Sequence, residues 1–527
     1  MNAAGSLSAG RAVNPWVVAV VVAMAAFMEV LDTTIANVAL PYIAGGLAVS
    51  SDQASWVITT YLVANAVSLT ASSYLARALG RKRFYLICVL LFTFSSVMCG
   101  LAWDLNSLLV FRILQGLGGG GMVPLSQSIL ADSFPAEKRG QAFAVFGLAI
   151  VVAPVIGPTL GGILADNVGW EWCFLVNGPI GLLTLALIWL VLPSTTRVEA
   201  QSHQQQADLR FDLIGFLLVA TLLGSLEVIL DRGQEDDWFG SRFIIVSAAI
   251  CVASLVLMVP WLVTRKNPII DLRLLAQRQF ASCFCVMLLA GAILLATTQF
   301  LPLLVQQNFG YTATWAGLVL SPGGLVTMMT VIVVGRLLTF VQPKYLIAIG
   351  ASIVAAGMYG LTRLYADVDF AFFAWSRIVV GAGLPLILIP VLTASYAGVP
   401  ADKTDQASAL MNAARNVGGS IGISIGVNVL ADRSQFHQNR LVESVTPSSP
   451  AYQETLQRMI DYFVAQGSAL AQARGQAIQW IGEQVQQQAS LLAYIDVFWT
   501  LMLLALAAVP LALILSNIKL GGAVAAE

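Results

Sequence analysis

Residues 135–142 read PAEKRGQA, and residues 400–407 read PADKTDQA. The likeness continues on either side of both segments. Leu40-Pro41 and Trp56 return as Leu301-Pro302 and Trp315, Arg112-Ile113 with Gly116 as Arg377-Ile378 with Gly381, and Ile156-Gly157 as Ile421-Gly422. An offset that stays at about 260 residues is what internal duplication leaves. The chain therefore reads as two parallel halves built on one plan.

Composition names the solvent of those halves. Of 527 residues, 58% are hydrophobic and only 10% charged, with a mean hydropathy of +0.81. A soluble protein carries about a quarter charged residues, so this chain cannot cover a globule of its size with solvated side chains. Fibrous, disordered and disulfide-stapled classes are excluded by the same figures. A net charge of −1 offers no basic field to nucleic acid. The six cysteines lie within or at the ends of apolar runs, without metal or framework spacing, and read as small core residues. His203 and His437 are expected in polar loops, so no metal site and no cofactor are expected.

Backbone groups left unpaired in hydrocarbon are costly, so a spanning segment is a helix of about 20 apolar residues. About fourteen runs qualify: 16–44, 54–75, 84–103, 107–130, 140–165, 172–192, 211–231, 242–264, 280–308, 315–339, 344–364, 369–396, 404–432 and 492–516. The expected fold is an all-α integral membrane protein. It has a six-helix half over 1–192, two inserted helices within 193–279, and a second six-helix half over 280–527. The first run is too long for a cleaved signal peptide and carries Glu29 and Asp32. Arg77, Arg81, Lys82, Arg83, Lys138, Arg139, Arg265, Lys266, Arg273 and Arg278 fall in one set of loops. That bias predicts two cytoplasmic termini. Residues 433–490 form a long outer loop, rich in Gln, Ala and Ser. Leu456, Met459, Ile460 and Phe463 make one helical stripe there, and Ile478, Ile481 and Val485 another. Amphipathic helices lying on the outer face or docking a partner are expected.

Charges within spans need a reason to be there. Glu29 and Asp32 are three residues apart on one face of the first span, where burial and mutual repulsion favour proton binding. Together with Arg112 they are the proton-coupling candidates. Asp32 either carries protons in exchange with Arg112 or forms a permanent ion pair with it. Arg112 opens RILQG, before a glycine run at 118–121 that lets a neighbouring helix approach closely. In span five, Pro154, Gly157, Pro158, Gly161 and Gly162 make a bending, close-packing seam, read as a rocking contact between the halves. Gln115, Glu227, Arg377, Arg415 and Asn416 are candidates for the substrate cavity or its gate. Asp231 and Arg232 read as an interfacial cap.

LDTTIANVALP from Leu31, RILQG from Arg112 and GPTLGG from Gly157 resemble the major facilitator superfamily, and within it the fourteen-helix drug:proton antiporters. WVITTYLVANAVS from Trp56, PLSQSIL from Pro124, LDRG from Leu230 and YTATWAGL from Tyr311 are similar to the EmrB-type multidrug and fatty-acid efflux pumps, over nearly the whole chain. The resemblance implies proton-driven export across the bacterial inner membrane, with Asp32 coupling. It also implies an EmrA-like periplasmic adaptor and a TolC-like outer-membrane channel as partners. One departure is Arg77, which stands where the wider superfamily has an acid in the loop after span two. Another is Glu29, where a neutral polar residue is expected.

Two other readings stay open on the residues alone: a solute:proton importer, and a scaffold or sensor that transports nothing. An enzyme is not expected, since no nucleophile–base pair, metal set or phosphate loop occurs.

Overall fold

The computed structural model describes residues 14–192, 212–265, 268–400 and 403–517, and among them all regular structure is helical. The first half supplies α1 (Pro15–Gly46), α2 (Ser51–Leu79), α3 (Arg81–Gly100), α4 (Leu105–Gly119), α5 (Met122–Ser133), α6 (Ala136–Asn167), α7 (Trp172–Leu175) and α8 (Asn177–Val191). The inserted helices are α9 (Leu213–Arg232) and α10 (Arg242–Thr264). The second half supplies α11 (Arg278–Phe309), α12 (Ala313–Leu337), α13 (Pro343–Leu361), α14 (Phe370–Ser395), α15 (Thr404–Val442), α16 (Pro450–Ala465) and α17 (Leu470–Leu513).

Thirteen described segments are long and apolar enough to cross a membrane, with α4–α5 and α7–α8 each making a single passage. The expected fourteenth, α15, is a helix of 39 residues that falls short in apolarity because it carries Asp405, Gln406, Asn412, Arg415 and Asn416. It packs among α2, α5, α11 and α17. Its polar side chains therefore meet protein rather than lipid, the placement that a charged residue at membrane depth requires. The inserted α10 is the opposite case. It turns Val246, Val252, Leu255 and Leu257 outward, as a helix bathed in lipid does.

The duplication written in the sequence is repeated in the packing. α1 packs on α6 as α11 packs on α15, and α2 on α4 as α12 on α14. α3 meets α4 and α8 as α13 meets α14 and α17. The halves touch through α6 with α12, α2 with α15, α5 with α15 and α6 with α14. The inserted α9 lies along α2 and also reaches α15, so it sits over one seam between the halves.

Glycines set the tightest of these contacts. A Cβ on Gly116 would stand 2.4 Å from the Tyr61 carbonyl oxygen, and one on Gly118 would stand 2.6 Å from the Phe92 nitrogen. α4 is thereby held between α2 and α3 with its polar residues turned inward.

The segment 433–490 is helical almost throughout. α15 runs on to Val442, α16 follows, and α17 begins at Leu470 and continues into the last span. The first expected stripe packs against α17: Leu456 and Ile460 are buried with Ala473, Ala477 and Ile481, flanked by Met459 and Phe463. Ile478 is instead half exposed. The two amphipathic faces cover each other, which is how short helices outside a bilayer bury apolar area. His437, expected in a loop, lies on the extension of α15, where its Nε2 is 2.9 Å from Asp496 Oδ2. A loop was expected because the polar composition hid a helix that its neighbours stabilise. His203 lies outside the described residues.

Candidate functional site

α1 presents Asp32 to the interior of the first half, and the carboxylate is enclosed completely. Its Oδ2 accepts from Arg112 Nη1 at 2.7 Å. Its Oδ1 accepts from Gln115 Nε2 at 2.8 Å and from Asn177 Nδ2 at 2.7 Å. Three residues from two other helices thus converge on one acid. Arg112 also donates to the Val57 carbonyl at 3.0 Å and to Gln115 Oε1 at 2.9 Å, and its Cζ lies 4.2 Å from the centre of the Tyr61 ring. A cation above an aromatic face is stabilised by the ring quadrupole, which accounts for an Nη2 with no hydrogen bond. Asn177 is held in turn by Ser96, which donates to the Phe174 carbonyl.

This geometry satisfies an ionised Asp32 fully, through two neutral donors and one guanidinium. It also ties the charge of Arg112 to that of Asp32. If a proton neutralises Asp32, a guanidinium remains in a dry site without its counter-ion, so the site must rearrange. Gln115, expected in the substrate cavity, is instead sealed inside this cluster. Its one-turn spacing from Arg112 places both on the same helix face.

The duplicated half lacks the acid. Arg377, the mate of Arg112, is buried, and neither its Nε nor its Nη1 has a hydrogen-bond partner. The offset that relates Leu40-Pro41 to Leu301-Pro302 carries Asp32 onto Ile293, which is buried in α11. The second half thus has the cation without the acid, and the buried Asp–Arg pair is a feature of the first half.

One turn from Asp32, Glu29 is buried and accepts from Asn65 Nδ2 at 3.0 Å. Asn65 receives a long 3.5 Å contact from Asn416, whose Oδ1 lies 3.4 Å from Arg415 Nη2. A polar chain therefore runs from α1 through α2 to α15, across the seam between the halves. Arg415 also lines a narrow cleft between the halves, nearly closed in this conformation and walled by α5, α6, α11, α14 and α15.

The cleft is closed on the face that carries the basic loops. Arg81 of α3 pairs with Asp132 of α5 and, at 3.1 Å, with Asp405 of α15. Ser408 donates to the Pro124 carbonyl at 2.7 Å, and Asn412 donates to Gln127 Oε1 at 2.7 Å. Phe143 stacks on Tyr396 with ring centres 5.3 Å apart. Each of these contacts joins the two halves or braces a residue that does. At the opposite face, Thr314 of α12 donates to Asp166 of α6 at 3.3 Å.

The proline–glycine seam of α6 is turned away from the second half. A Cβ on Gly157 would fall 2.0 Å from Thr34 Oγ1, and one on Gly161 would fall 3.3 Å from Ile35. Pro154, Pro158 and Gly162 are buried in the same unbroken helix. The seam therefore joins α6 to α1, the helix that bears Asp32, and is not the contact between halves expected of it. The other face of α6 makes that contact, with Thr159 against Gly317 and Ala144 against Gly335.

Glu227 of α9 is buried and accepts from Ser420 of α15 at 2.6 Å. Asp231 accepts from Thr59, while Arg232 pairs with Glu235 at 2.6 Å and Asp236 at 3.4 Å. Asp231 and Arg232, expected as an interfacial cap, lie together at the end of α9, each with a further partner. Asn177, Asn65 and the Arg81–Asp405 pair were not singled out in the sequence. Their only signal is polarity at membrane depth, or a charge in a loop crowded with charges.

The Major Facilitator Superfamily model matches residues 22–423. The chain belongs to that superfamily. It is 37% identical to the multidrug export protein EmrB of Haemophilus influenzae, over 90% of this chain and 91% of that protein. It is 35% identical to EmrB of Escherichia coli K12, over 92% of each. Identity to the fatty acid resistance protein FarB of Neisseria gonorrhoeae is 35%, over 85% of this chain and 87% of the relative. The proton:xylose symporter XylE superposes with a TM-score of 0.58 at 16% identity, covering 94% of this chain and 96% of that one, which shows the shared fold. The superfamily member described here is thus a multi-pass membrane transporter of EmrB type and not an enzyme.

Proposed function

We propose that this transporter exports hydrophobic and amphipathic compounds across a bacterial inner membrane by alternating access, exchanging them for protons that bind Asp32. The observation that carries the reading is the sealed Asp32–Arg112 pair at 2.7 Å, bridged by Gln115 and Asn177. Protonation of Asp32 releases Arg112, and deprotonation restores the cluster. α6 is packed on α1 through Gly157 and also meets α12, so a change at Asp32 has a direct route to the seam between the halves. With both termini on the cytoplasmic side, the closed Arg81–Asp405 face is the cytoplasmic gate. The cleft then communicates outward, where substrate leaves and protons enter. The proton gradient is the only energy source required, and no cofactor takes part.

The names of the relatives support multidrug or fatty-acid export. We place the pump in a tripartite system with an EmrA-like adaptor and a TolC-like channel, and assign adaptor contact to the helical projection of 433–490. Phe436, Tyr462 and Ile478 on that projection are exposed. The test is flux in proteoliposomes under an imposed pH gradient, offering a lipophilic cation, a weak-acid uncoupler and a long-chain fatty acid in turn. Gradient-driven flux that disappears in Asp32→Asn supports the reading; absence of flux with all three substrates refutes it. For the adaptor, deletion within 452–488 is expected to abolish whole-cell resistance while vesicle transport persists.

A further inference from the structure

The cleft between the halves holds one charge without an ion-pair partner among the described residues. Phe146, Ile150, Met287, Ile389 and Met411 give the walls their apolar character, and the polar Gln127 and Asn412 are already bonded to each other. Arg415 alone brings a cation to the lining. A guanidinium has five N–H donors in a planar fork that matches a carboxylate. Here it makes a single 3.4 Å contact, to the neutral Asn416, and no ion pair with a carboxylate among the described residues.

The acid that answers Arg415 electrostatically is Glu29, with which it makes no ion pair. Its Oε1 is engaged by Asn65, and its Oε2 is enclosed without a well-formed hydrogen bond. Glu29 therefore balances Arg415 through the Asn65–Asn416 pair rather than by direct contact, and Arg415 has no ion-pair partner among the described residues. A cationic ligand has no such seat, since no carboxylate lines the cleft.

We propose that Arg415 binds the acid group of an amphipathic anion, such as a long-chain carboxylate, whose apolar chain lies along Phe146, Met287 and Ile389. Glu29 is the internal anion that competes with it for the guanidinium. The assignment rests on the export reading for its meaning, but not for its test. Full-length protein in lipid nanodiscs, with no gradient, is titrated with radiolabelled oleate, and unlabelled oleate and oleyl alcohol compete for binding. One charge-assisted pair predicts that the acid displaces label about tenfold or more better than the alcohol. Arg415→Gln is expected to bring the two competitors to parity, and Glu29→Gln to strengthen oleate several-fold while leaving the alcohol unchanged. Equal competition in the wild type, or an acid preference that survives Arg415→Gln, overturns the site. Oleate that binds no better to Glu29→Gln overturns the competition. Should Arg415→Gln fail to fold, the wild-type ratio and the Glu29→Gln shift still decide. Gradient-driven flux, measured separately in proteoliposomes, bears on the export reading alone.

Discussion

Replacing Asp32 by Asn removes one charge and keeps the shape of the side chain, so it separates what the acid does from what it holds. In the wild type the carboxylate answers Arg112 at 2.7 Å, Gln115 at 2.8 Å and Asn177 at 2.7 Å. The amide can still accept at one oxygen, but its NH2 group meets donors already aimed at it. Arg112 is then a fully enclosed cation with Val57, Gln115 and the Tyr61 ring for support. Breaking a buried pair by removing one partner costs about 3–5 kcal/mol. The upper part of that range requires a cation with no other support, so about 3 kcal/mol is expected here. Thermal unfolding in detergent, followed by tryptophan fluorescence, should therefore show a clear loss of stability with folded protein still recovered. Adding Arg112→Met to Asp32→Asn should return part of that stability, because the buried cation left without its counter-ion is then gone. Flux should not return with it. Each charge moved across 100 mV is worth about 2.3 kcal/mol, roughly a fiftyfold concentration ratio, and neither variant has a carrier for it at this position. Accumulation should fall to the downhill limit in both proteins. Full gradient-driven flux in the stabilised double variant would refute the reasoning and reduce the Asp32–Arg112 pair to architecture.

The basic-face gate predicts that Asp405→Asn, which removes one of two acids from Arg81, raises labelling of a cysteine placed at Leu392 from the cytoplasmic side; unchanged labelling would remove the pair from the gate. Gly157→Ala should destabilise by about 1–3 kcal/mol through overpacking, since its Cβ lands 2.0 Å from Thr34 Oγ1. Thr34→Ala should recover part of that loss in the same melt, and no recovery would place the strain elsewhere. Glu227→Gln keeps an acceptor for Ser420 and should leave melting and flux near wild type, whereas Glu227→Leu leaves the hydroxyl only its 3.3 Å bond to the Asn416 carbonyl and should weaken docking of α9. Equal flux and stability in the leucine variant would show that the Ser420 contact contributes nothing.

The sequence alone determined the architecture, because the bilayer acts on every residue in the same local way. Apolar length marks a span wherever it occurs, and a repeated Arg-Ile or Pro-Ala-acid-Lys is visible without coordinates. Asp32, Glu29 and Arg112 were legible for the same reason: a charge at membrane depth is anomalous by itself. α15 was legible as a span only through its position in the repeat, since its polar residues lower its hydropathy below that of a lipid-facing helix. Partners belong to the tertiary structure, because they are matters of direction and distance between helices remote in sequence. Whether the Gly157 seam faced α1 or the second half depended on the rotation of α6. Whether Gln115 lined the cleft or closed around Asp32 depended on how deeply α4 sits between α2 and α3. That Asp405 of the second half answers Arg81 follows from how the two halves meet. No window of sequence contains that meeting.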